Sequence, residues 1–101
     1  LTPDEAARLA PIVAAQLKAP GALVRKSWRL DGWRIVLVES PQTDPPYLFY
    51  IGEPSPATYK GLWAGAARRD EGPEILGWAK KEFAGIPDRL ASCFAWVVTK
   101  R

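Results

Sequence analysis

Histidine and methionine are absent from this chain of 101 residues, and cysteine occurs once. Without histidine the commonest general base and the commonest zinc ligand are missing. Ser-His-Asp and Cys-His constellations cannot be assembled. Zinc sites built on several cysteines are excluded, and a lone cysteine makes no internal disulfide, so the fold is not stapled. No apolar run approaches the roughly 20 residues that span a bilayer. The first residues show no basic segment leading into an apolar one, so no signal peptide is expected there. Internal repeats and low-complexity tracts are also missing.

What is present is ordinary in amount. Hydrophobic residues make up 48% of the chain and charged residues 25%, the composition of a globular protein with one hydrophobic core. Residues 1–101 are therefore expected to form a single domain. Fourteen basic and eleven acidic side chains leave a net charge of +3. That balance permits attraction to anionic partners and does not require it.

Thr2-Pro3-Asp4-Glu5 reads as a helix start, with threonine as cap, proline in the first turn and glutamate completing a capping box. Leu9, Ile12, Val13 and Leu17 follow at helical spacing. The pattern predicts a helix over 3–18, kinked or broken near residues 7–11 by Pro11. Asp31-Gly32 is a strong signal for a type I′ turn. Counting outward from it pairs Leu30 with Trp33, Arg29 with Arg34, Trp28 with Ile35, Ser27 with Val36, Lys26 with Leu37 and Arg25 with Val38. Alternation then sends Leu30, Trp33, Trp28, Ile35 and Leu37 to the core. Arg25, Arg29 and Arg34 fall on the other, solvated face. The two-sided apolar run 35–38 marks the second strand as the more central.

Prolines 41, 45 and 46 make a stiff loop before a third strand at 47–51, and Pro54 and Pro56 stiffen the next. A short strand is expected at 62–66. Gly72-Pro73-Glu74 opens a second helix with Ile75, Leu76, Ala79 and Phe83 buried, ended by Gly85. Residues 92–99, rich in aromatic and β-branched types, read as a last strand, with Phe94, Trp96 and Val98 on one face and Cys93 packed on the other. The order α-β-β-β-(β)-α-β is an α+β domain of two layers, with four to five mostly antiparallel strands and helices on one face. A leading helix laid across a curved antiparallel sheet resembles the cystatin-like arrangement, a likeness of fold that carries no function.

Three features compete as sites. Arg25, Arg29 and Arg34 form a candidate anion-binding face, with Arg29 and Arg34 as like-charged cross-strand neighbours. The plainer reading is a solvated face whose arginines pair with Glu39 or another acid. Nucleic-acid binding would need exposed aromatics among those arginines, and alternation puts Trp28 and Trp33 on the opposite face. Tyr59, Leu62 and Trp63 lie between glycines and prolines and form a candidate protein-binding segment. Folding down over the core is the alternative. Asp70, Glu71 and Glu74 suit a helix start better than a metal or catalytic site. No metal or cofactor is expected.

These observations favour a small non-enzymatic module that binds another protein, as an adaptor, inhibitor, immunity or accessory domain. The alternative is a weak binder of nucleic acid or another anion through the arginine face.

Overall fold

The computed structural model describes residues 1–40, 44–65 and 67–99. They fall into two compact units, Leu1–Gly65 and Ala66–Arg101. The class is α+β, with one four-stranded antiparallel sheet.

In the first unit, helix α1 spans Pro3–Leu17 and runs unbroken through Pro11. The Thr2 Oγ1 accepts the Glu5 backbone N–H at 3.1 Å, half of the expected capping box. The other half is replaced by ion pairs, because the Glu5 carboxylate turns to Arg8 and Arg34. The helix ends at Lys18, which takes a left-handed conformation (φ 52°) while the following Ala19 N–H reaches back to the Ala14 carbonyl.

Strands β1 (Leu23–Leu30), β2 (Trp33–Glu39), β3 (Tyr47–Ile51) and β4 (Tyr59–Trp63) lie side by side in chain order. Asp31 and Gly32, both at positive φ, form the tight turn between β1 and β2. The register is the one the turn dictates, from Leu30 opposite Trp33 to Lys26 opposite Leu37. It breaks at Arg25, which is extruded as a bulge, so Val24 instead of Arg25 faces Val38. A second irregularity extrudes Lys60 between β3 and β4. Each edge strand thus carries a bulge with a basic residue, an arrangement that discourages another chain from pairing there. The fourth strand begins at residue 59, three residues earlier than the sequence suggests.

The two faces of the sheet are not divided as alternation alone implies. Helix α1 covers the face of Arg34, Val36 and Val38. There Val13 joins Val36, Val38, Leu48 and Tyr50 in one buried cluster, with Ala14, Leu17, Val24 and Tyr59 against it. Each of these large side chains contributes roughly 1.5–3 kcal/mol by leaving water. Arg34, expected in solvent, is therefore only 2% exposed. The expected core face is buried as well at Trp33, Ile35 and Phe49. Burial on both sides explains why the run 35–38 is apolar throughout.

The second unit is helical among its described residues. A 3₁₀ turn at Arg69–Glu71 leads into α2 (Gly72–Glu82). Ile75, Ala79 and Phe83 are buried, and Gly85 turns at φ 90° as Ile86 folds back on the Phe83 carbonyl. The last element is α3 (Asp88–Thr99), a helix where a strand was expected. Ala91 N–H bonds the Pro87 carbonyl to start it. Leu90, Ala91, Phe94, Ala95 and Val98 then form its buried stripe, a spacing that helical geometry satisfies and a strand cannot. Phe94 packs 6.5 Å from the Trp78 ring of α2, and Lys80 meets Asp88 at 2.9 Å. The change of element reverses two expectations. Trp96 is 59% exposed and Cys93 is exposed, because both lie off the buried stripe.

Candidate functional site

The Asp31-Gly32 turn is tied to the start of the β3–β4 loop by a short bond, Gly52 N–H to the Gly32 carbonyl at 2.6 Å. That loop is held from within. Thr58 donates its hydroxyl to the Glu53 carbonyl at 2.7 Å and accepts the Ser55 N–H at 3.0 Å. Pro54 is buried, so the stiffness read from the prolines is reinforced by hydrogen bonds. Between turn and loop lies a cleft of about 400 Å³, lined by Arg29, Leu30, Asp31, Gly32, Trp33, Arg34, Gly52 and Glu53.

Arg34 forms the inner wall. Its Nη1 donates to Ser27 Oγ at 3.0 Å, and its Nη2 stands 3.4 Å from Glu53 Oε1 and 3.6 Å from Glu5 Oε2. The outer oxygen of Glu53 lies 3.3 Å from Arg8 on α1. Two arginines and two glutamates from helix, strand and loop thus form one network around a buried guanidinium. A charge so far from water is stable only with such partners. Arg29 sits opposite Arg34 in the register, is exposed, and makes no ion pair among the described residues. The cost of setting two like charges side by side is offset on the Arg34 side alone.

The structure therefore brings together two of the three expected anion-binding residues. Arg25 is not with them. It pairs with Glu39 at 2.6 Å, as the plainer reading anticipated. The segment expected to bind a partner is divided. Tyr59 opposes Tyr50 on the α1 side, with ring centroids 5.6 Å apart. Leu62 opposes Leu48 on that same side and is 39% exposed. Trp63 opposes Tyr47 on the other side, 6.1 Å from its ring, and Tyr47 in turn stacks on Trp28. The arginines and this row of aromatics point to opposite faces.

Glu53 and Glu5 escaped the reading from sequence. The available signal was the pairing of Arg29 with Arg34, which demands an acid nearby, although nothing in spacing says which one. Burial pushes the Tyr50 hydroxyl up to about 12, with the neighbouring Tyr59 adding to it, and burial raises Tyr59 too. Among the described residues no cluster of three or more cysteine, aspartate or glutamate side chains could hold a metal ion. Asp70 and Glu71 instead serve the chain locally: Glu71 accepts the Arg68 N–H at 2.7 Å, and Asp70 meets the Arg68 side chain at 3.1 Å. Comparison with protein-family models, curated proteins and solved structures finds no match.

Proposed function

We propose that this chain is a non-enzymatic protein-binding module, and that the cleft at the hairpin tip receives a carboxylate of its partner. The observation that carries this reading is the mixed lining: Arg29, Arg34, Asp31 and Glu53 share one cleft with Leu30 and Trp33. A peptide offers both signs of partner at once, a carboxylate for the arginines and backbone N–H groups for the acids.

A polyanion fits less well. Residues 1–65 carry seven basic and six acidic side chains, and two acids stand in the cleft itself. The aromatics that would stack on bases lie on the face away from Arg34. Tyr59 and Trp63 do not share a surface, so the partner's anchor is placed in the cleft and not on that segment.

Selection from a displayed library of random peptides tests the proposal. Acidic residues should be enriched at one fixed position, and Arg29→Glu should lose the selected peptides. Preferential binding of single-stranded oligonucleotides, weakening steeply with salt, would overturn it in favour of the alternative.

A further inference from the structure

Arg34 is buried, yet its acidic partners stand off. Charge-assisted bonds between guanidinium and carboxylate usually close to about 2.7–2.9 Å. Here the two carboxylates are at 3.4 and 3.6 Å, whereas the solvent-exposed pair Arg25–Glu39 closes to 2.6 Å. Of the five N–H donors of a guanidinium, Arg34 uses two among the described residues, toward Ser27 and Glu53. Arg29, its neighbour across the strands, uses none among the described residues.

Glu53 is placed to give way. Its side chain is 64% exposed while that of Arg34 is 3% exposed, so the carboxylate can swing toward water and the guanidinium cannot follow. Its second oxygen is already 3.3 Å from Arg8. Arg8 can keep it when it leaves Arg34.

We infer that Glu53 occupies the anion position of the cleft as an internal stand-in, and that it sets the selectivity of the site for a single negative charge. The inference rests on the proposed carboxylate-binding cleft. An incoming carboxylate bonds Arg29 and the free donors of Arg34, and Glu53 moves onto Arg8. With Asp31 and Glu53 balancing Arg29 and Arg34, the cleft has no net charge of its own. A second negative charge on the ligand meets Asp31 and the nearby Glu53, while Arg8 is already taken up by Glu53. A carboxylate side chain is therefore accepted, and a phosphate dianion is disfavoured.

The test is a titration followed by NMR, with acetate as monoanion and inorganic phosphate at pH 8 as dianion, at constant ionic strength. Acetate should give saturable shifts at the Arg29 and Arg34 Nε–Hε groups and at backbone amides of residues 29–34, and Arg29→Gln should remove them. In Glu53→Gln, phosphate binding should strengthen about fivefold more than acetate binding, the size expected from removing one nearby like charge at a partly wet site. Asp31→Asn is a second variant for the same measurement, since asparagine tolerates the left-handed backbone of the turn, and it should act in the same direction. If acetate saturates the site and both variants strengthen the two anions equally or not at all, the role of Glu53 is overturned while the cleft stands. If acetate produces no saturable shifts, the cleft reading falls and this inference with it.

Discussion

Tyr50 is the residue at which the packing of α1 on the sheet is most exposed to experiment. Its ring is wholly buried in the cluster under α1, yet its hydroxyl has no hydrogen-bond partner among the described residues. A buried hydroxyl without a partner costs about 1–3 kcal/mol relative to one left in water. Tyr50→Phe removes that oxygen and keeps the ring, so the cavity left is smaller than a methyl group and its penalty is well under 1 kcal/mol. The net expectation is a gain of roughly 1 kcal/mol in unfolding free energy. For 101 residues that corresponds to about 4 °C or more in Tm. Urea unfolding followed by tryptophan fluorescence measures it, with an unchanged slope against denaturant showing that only stability has moved.

The same residue makes a second, independent signature. The hydroxyl ionises near 10 when unfolded and only near 12 when folded, so the fold holds the proton more tightly. That contribution is complete below pH 10 and is lost as pH rises from about 10 through about 12. The wild type should therefore weaken across this window more than Tyr50→Phe, with Tyr59 adding a smaller loss in both. A destabilisation by Tyr50→Phe of more than about 1 kcal/mol would mean instead that the hydroxyl makes a valuable bond in the folded state.

Three further outcomes follow from the fold. Gly32→Val should cost about 1–2 kcal/mol in thermal or denaturant unfolding, because φ is +84° and no atom lies near enough to compensate or clash; an unchanged Tm would mean the turn has another form. Cys93, exposed on α3, should react with a thiol reagent in the native state nearly as fast as in urea; labelling limited by unfolding would contradict the helix. Arg25→Gln should change stability by less than about 1 kcal/mol, since both partners of its pair with Glu39 are half-exposed; a larger loss in denaturant unfolding would show that the bulge depends on that pair.

Legibility in the sequence tracked the range of the interaction. Turn chemistry is local, so Asp31-Gly32 announced both the hairpin and its register. The Thr2-Pro3 start and the Gly85 stop were equally plain. Alternation, by contrast, tells which residues share a face but not what covers it. With apolar residues on both sides of 35–38, nothing local places α1 over Val36 and Val38, and for that reason the pattern alone sends Arg34 to water. The last helix, Asp88–Thr99, looks like a strand in the sequence because Phe94, Trp96 and Val98 alternate and favour strands. Leu90, Ala91, Phe94, Ala95 and Val98 also fit a helical stripe, and the Pro87-Asp88 start should have decided between them. Of the candidate site, Arg29 and Arg34 were legible through the register. Glu5 and Glu53 were not, because they reach Arg34 from a helix and a loop distant in sequence.

Arg29 and Arg34 are proposed to hold an acidic group of a protein partner. A charge swap tests it most directly. A library-selected peptide with its enriched acidic residue is titrated against wild type and Arg29→Glu by fluorescence anisotropy, and then again with that residue changed to lysine. Arg29→Glu should weaken the acidic peptide about tenfold or more, one factor of ten per 1.4 kcal/mol, and the lysine peptide should recover much of the loss on the variant only. Equal binding of the acidic peptide to both proteins would contradict it.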